Sequence, residues 1–235
     1  VEGIGTRAGE PDDPIGLGLG TAETGIIAKT DDAVKRLAKV IDATLTLLKG
    51  KFVVENLLFD IFGFSRGAAA ARHFANRVQT EDMAITKAIL KGMAEYSYRG
   101  KPAGHTRFLG IMDTVAAVGT VANGLDPHSA DTGSVNIALR PGVAQKVFHI
   151  TAGHECRYNF ALNSVVPAWP ELELPGAHSD IGGGYYSRYY LNEQNPQSMN
   201  RALQEEIIVS AYSCSLFMYP NEKSIKCTAA WRKAE

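Results

Sequence analysis

The sequence has no excess of charge of either sign: 24 Lys and Arg stand against 25 Asp and Glu, a formal net charge of −1. With no surplus of cations to neutralise a phosphate backbone, nucleic acid is not an expected partner. Long apolar runs are also missing. None approaches the ~20 residues that a bilayer-spanning helix needs, so any membrane contact is expected to be peripheral. Cysteine is scarce and odd in number, and Cys156, Cys214 and Cys227 lie at spacings that suit neither a disulfide framework nor a zinc site. No H-E-x-x-H is present, and His154-Glu155-Cys156 is one isolated cluster, so no metal is expected. Gly3, Gly5 and Ala8 imitate a dinucleotide fingerprint, but Gly9, Pro11 and Pro14 follow where its helix should start. The run from Gly16 to Gly20 lacks the Gly-Lys-Ser/Thr of a phosphate loop, so no nucleotide cofactor is expected either. The first residue is Val1, and no basic patch followed by an apolar stretch opens the chain, so the N-terminus assigns no compartment.

What is present is the composition of an ordinary globular protein, 45% hydrophobic and 21% charged over 235 residues, expected to form one domain over 1–235. After a loop rich in Gly and Pro over about 7–29, Thr30 can cap a helix carrying Val34, Leu37, Ile41, Leu45 and Leu48 at helical spacing, with Gly50 as its stop. The apolar run 57–62 reads as a parallel strand buried on both faces. A small-residue helix follows around 68–75, then an amphipathic helix over 82–96. Strands are expected at 108–112 and 147–150, a fourth short run at 172–174, and a long helix near 199–217. Alternating strands and helices predict an α/β fold, a mostly parallel central sheet with helices on both faces. The stripe Met83, Ile85, Ile89, Leu90 and Met93 suits either a lid or a packed crossover helix, and the crossover is preferred because such stripes usually face a core.

In such sheets reactive groups gather at the carboxyl ends of strands. The strand 57–62 delivers Gly63-Phe64-Ser65-Arg66-Gly67, a G-x-S-x-G between a buried strand and a small-residue helix. A sharp strand-to-helix turn forces the serine into a strained conformation and needs glycine beside it for close approach. Ser65 is therefore the candidate nucleophile, and the N–H of Arg66 at the helix start can face a developing oxyanion. The base should follow in the order Ser, acid, His. Of six histidines, His73 in a helix and His149 in a strand suit structural roles, His105 and His128 lie before or between the acid candidates, and His154 leaves at most a very short gap for an acid preceding it. His178 is last, in a glycine-dense loop after a strand, and is the candidate base. Asp113 ends the strand 108–112 and is the first choice of orienting acid; Glu155 is the second. Asp180 reads as a residue that shapes the loop or caps a helix.

Taken together, Gly63-Phe64-Ser65-Arg66-Gly67-Ala68-Ala69, the segment from Phe108 through Asp113-Thr114 to Gly119, and the segment Pro175-Gly176-Ala177-His178-Ser179-Asp180 with its glycines closely resemble the family-one antibacterial lipase effectors of the bacterial type VI secretion system. That resemblance implies an α/β-hydrolase domain cleaving acyl esters of membrane glycerophospholipids through Ser65, Asp113 and His178, without a cofactor. It also implies delivery from the cytoplasm to the periplasm of a rival cell, carriage on the spike protein of the secretion needle, and neutralisation by a cognate immunity protein. Family members usually carry an earlier strand ending in Asp-Gly-Thr, so the chain is expected to be a fragment lacking its first strand or strands. Near Glu155 the family more often shows an Asp-Glu-Arg-Arg-like run than His154-Glu155-Cys156-Arg157, which counts against Glu155 as the acid. A serine esterase or thioesterase acting on a soluble substrate, or a non-catalytic module on the same scaffold, is the alternative reading.

Overall fold

The computed structural model describes Ile4 and residues 25–48, 53–116, 132–183 and 216–218. Strands β1 (Val53–Val54) and β3 (Ser97–Tyr98) form a small parallel pair. The main sheet has five strands in the order β6-β5-β4-β2-β7. Its central strands are β2 (Leu58–Phe64), β4 (His105–Met112), β5 (Lys146–Ala152) and β6 (Glu171–Leu174), all parallel, and β7 (Leu216–Met218) runs antiparallel beside β2. The expected α/β class is the observed one.

Helix α1 (Ile26–Leu47) carries the stripe Val34, Leu37, Ile41 and Leu45, all buried. It starts a turn earlier than the cap signal at Thr30 predicts. Ile26 is fully buried in a cluster with Ile4, Ala69, Ala70 and Ala116, and Thr30 lies inside the helix with its hydroxyl donating to the Ile27 carbonyl at 2.8 Å. Burial of an apolar first turn outweighs a favourable cap. The expected stop at Gly50 lies outside the described residues.

Helix α2 (Arg66–Gln79) follows β2 directly and lies on the sheet through Ala68, Ala71, Phe74 and Ala75. Its small side chains let the backbone approach closely, and Phe74 meets Phe59 edge to face at 5.7 Å between centroids. Helix α3 (Met83–Gly92) is capped by Asp82, whose carboxylate accepts the Ala84 and Ile85 N–H groups. It packs on α1 as a crossover through Ile85, Ile89 and Met93, which are buried, while Met83 and Leu90 of the expected stripe are exposed; a side chain at Gly92 would strike the Ala38 carbonyl of α1. Arg77 ties the three helices together, bonding Asp31 of α1 at 2.7 Å and Asp82 at 3.1 Å.

Pleat alternation sends Phe59 and Ile61 toward α2 and Phe62 and Phe64 to the other face. On that second face the short helix α4 (His178–Gly182) lies against Phe64, so helices flank the sheet on both sides. The helix expected over 199–217 is corrected at its end, because Leu216 and Phe217 belong to β7. There they supply ladder partners to a β2 edge that would otherwise present unpaired backbone groups. Residues 199–215 lie outside the described residues. Among the described residues no helix is long and apolar enough to cross a membrane.

The sheet's grip on α2 runs through Phe59, which is fully buried. Phe59→Ala is expected to destabilise the protein by about 3–5 kcal/mol, read as a lowered midpoint in urea denaturation.

Candidate active site

The site begins with a steric requirement at the end of β2. A Cβ built on Gly63 would lie 2.3 Å from the Gly67 carbonyl oxygen and 2.7 Å from the Ala68 Cα, so only glycine lets strand and helix pass this close. Ser65, between them, has φ 57° and ψ −128°, a strained conformation for a residue with a side chain. The surroundings over-determine it. Its N–H donates to the Met112 carbonyl at 2.9 Å, and its carbonyl accepts from Ala68 at 3.0 Å and from Val115 at 3.3 Å. Arg66 is the first residue of α2. The turn expected at G-x-S-x-G is present.

Register brings the acid to the same rim. Phe64 of β2 pairs with Met112 of β4, so Ser65 and Asp113 each lie one residue beyond a matched pair on neighbouring parallel strands. Asp113 is also strained, at φ 39°, and only 2% exposed. Both carboxylate oxygens are engaged: Oδ1 accepts the Ala152 N–H at 2.9 Å, and Oδ2 lies 2.5 Å from Nδ1 of His178. With Nδ1 directed to the carboxylate, the Nε2 of a neutral His178 carries the lone pair.

His178 is 3% exposed and is held from several sides. Its ring lies against Phe64, the residue before Ser65, at 4.5 Å between centroids, and against Phe160 at 4.7 Å. A side chain at Gly182 would overlap the Phe64 ring at 2.1 Å, so the glycine lets α4 settle on this ring. The glycine-dense segment around His178 is not a plain loop: it opens with a helical turn. Asp180 makes that turn, its Oδ2 accepting the Ala177 N–H at 2.8 Å, and Glu155 accepts the N–H of His178 at 3.1 Å.

Glu155 therefore reaches His178 at its backbone, while Asp113 reaches the ring. Glu155 also forms a two-pronged bond with Arg157, at 2.9 and 2.7 Å, and the Arg157 guanidinium covers the Phe160 ring at 3.7 Å. The Arg157 side chain, with the backbone N–H groups of Arg157 and His178, holds the Glu155 carboxyl down at about 2 from an ordinary 4.5. Of the other histidines, His73 accepts the Asn136 N–H and His154 the Gly176 N–H, both at Nδ1. His149 is wholly buried between Thr114 and Glu171, a structural setting as expected, and His105 opens β4. His128 lies outside the described residues. Phe64 and Phe160, which fix the imidazole plane, were not singled out from the sequence. Phe64 is signalled only by its place inside G-x-S-x-G, and Phe160 by nothing local. Among the described residues no group of His, Cys, Asp and Glu could hold a metal ion.

The depressed Glu155 carboxyl sets a pH window. Its contribution to stability is fully present above about 4.5 and is lost as pH falls toward about 2. Glu155→Gln should therefore lose thermal stability less steeply than the parent across that interval, as measured by melting curves in a pH series.

The chain aligns with the solved structure of the Tle1 effector bound to the VgrG spike of the Type 6 secretion system, at 52% identity and a TM-score of 0.62. The match covers 68% of this chain and 31% of that one, so the chain spans about a third of that protein's length. An uncharacterized protein from Pseudomonas aeruginosa aligns at 24% identity over 68% of this chain and 24% of its own, with a TM-score of 0.32. No protein-family model and no curated protein matches the chain.

Proposed function

We propose, for a chain that belongs through this match to the Tle1 family of Type 6 secretion effectors, that it is a serine hydrolase cleaving acyl esters of membrane glycerophospholipids. The observation that carries the reading is the Asp113–His178 bond at the rim where β2 ends in a strained Ser65. A hydroxyl in an elbow, an imidazole whose lone pair is on Nε2 and a buried carboxylate at its Nδ1 are the parts that acyl transfer needs.

The proposed reaction runs in two halves. Nε2 of His178 takes the Ser65 proton as Oγ attacks the ester carbonyl, and the Arg66 N–H at the helix start donates to the oxyanion. The protonated imidazole then gives its proton to the departing alcohol. Water, deprotonated by the same nitrogen, releases the fatty acid and restores Ser65. Asp113 keeps the Nδ1 proton in place and stabilises the imidazolium that forms in each half. Glu155 acts on the backbone of α4, so its contribution is to placement and not to charge on the ring.

Family membership supports the remaining assignments. The substrate is a membrane phospholipid approached peripherally, the site of action the periplasm of a target cell, and the carrier a secretion-needle spike like the VgrG with which the Tle1 effector was solved. A cognate immunity protein protects the producing cell. We read residues 1–235 as one catalytic domain.

Ser65→Ala is expected to abolish fatty-acid release from phospholipid vesicles and labelling by a fluorophosphonate probe, with the circular dichroism spectrum unchanged; retained turnover rejects the nucleophile. Asp113→Asn should lower turnover by about four orders of magnitude, far more than Glu155→Gln, and the opposite ranking would move the acid to Glu155. Short-chain soluble esters assayed beside vesicles separate a phospholipase from a general esterase.

A further inference from the structure

The reaction proposed above makes no use of His149, the most completely buried titratable side chain near the site. It is 0% exposed, at the middle of β5, and its bonding fixes its protonation. Nε2 lies 3.1 Å from the Thr114 backbone nitrogen, which can only donate, so Nε2 must carry a lone pair. The proton then sits on Nδ1, 2.9 Å from Glu171 Oε2 on β6, and the ring is neutral. Glu171 is anchored in turn by the Ser164 hydroxyl and the Val165 N–H. The charged groups around His149 are Glu171, Arg72 of α2 and Asp113; burial pushes its basicity down, and the two carboxylates only partly oppose this.

Thr114 is the residue after Asp113, and the segment it belongs to is pinned at each step. Asp113 donates its N–H to the Ile150 carbonyl at 2.7 Å, and the Thr114 carbonyl accepts from Asn163 at 2.9 Å. Val115 donates to the Ser65 carbonyl at 3.3 Å, and Ala116 to Asn163 Oδ1 at 2.6 Å. Asp113 holds a left-handed φ without being glycine, a conformation that persists only where neighbours enforce it. The Thr114 N–H is the next backbone donor along, and its acceptor is an imidazole.

We propose that His149, acting through the Thr114 N–H, is a positioning residue that holds Asp113 in this conformation and so aims its carboxylate at His178. The proposal rests on the serine-hydrolase reading, and one readout below does not depend on turnover. Two polar replacements of similar size separate the roles by reach. Asparagine can keep the donor to Glu171 but falls short of Thr114, whereas glutamine can extend a carbonyl oxygen to the Thr114 N–H.

The test is made in the full-length protein, with kcat normalised to active sites titrated by a fluorophosphonate. His149→Asn is expected to lower kcat roughly tenfold to a hundredfold with KM unchanged, and to move the acidic limb of the pH–rate profile to lower pH, because the imidazolium loses its aligned carboxylate. His149→Gln is expected to recover most of both. In proton NMR, the far-downfield Nδ1 proton shared by His178 and Asp113 should be present in the parent and in the glutamine variant and lost or displaced in the asparagine variant. Equal behaviour of the two variants, or an effect confined to the melting temperature with an unmoved acidic limb and an unmoved proton, overturns the proposal. Absence of turnover in the parent, with the NMR difference intact, would fault the hydrolase reading and leave the positioning role standing.

Discussion

The register between β2 and β4 is the constraint on which the site depends. Because the two strands are parallel and paired through Phe64 and Met112, they end at one level, and the next residue of each, Ser65 and Asp113, leaves the sheet at the same rim. A slip of one residue in either strand would turn that strand's side chains to the other face, burying what should be free and freeing what should be buried. The Ser65 N–H to Met112 and the Val115 N–H to Ser65 extend the pairing past the strand ends. Serine and acid are thereby joined by backbone before any side chain takes part. His178 arrives from farther along the chain, and needs the Phe64 ring, the Asp113 carboxylate and the Glu155 contact to fix it.

The site stores strain and surrounds it with bonds. Ser65 and Asp113 both occupy left-handed φ values, each costing on the order of 1–3 kcal/mol. Each is followed or faced by backbone groups with committed partners. Where the sheet has run out, the Asn163 backbone N–H donates to the Thr114 carbonyl and the Asn163 Oδ1 accepts from Ala116, while the buried Arg72 side chain holds the Ile137 and Asn163 carbonyls. Such groups add little to stability on balance, but leaving any one unpaired in the interior is costly.

Much of this was legible in the sequence, for physical reasons. Continuous apolar runs mark β2 and the second half of β4, whose first residues His105, Thr106 and Arg107 are polar and lie outside the run, and Gly63 marks the turn because close approach there admits nothing larger. Helix α1 began early because burial of Ile26 is a tertiary fact that Thr30 cannot report. The helical turn at His178 was hidden by its glycines. It depends on Asp180, which the sequence offers as a cap or loop-shaping residue, and on Glu155, which lies far off in the chain and whose sequence context points only to a rival acid. β7 escaped because three residues carry no period, and their strand character comes from the edge they complete. Phe160 reaches His178 through the fold alone.

The contact between Gly182 and the Phe64 ring has a consequence for how such a protein can diverge. The ring that supports the imidazole leaves no room for any β-carbon opposite it, so neither position is free to drift by itself. A smaller residue at 64 would open a gap under the His178 ring, and a larger one at 182 would lift the helix that bears it. The two positions therefore constrain each other, and a change at either one alone disturbs the seat of His178.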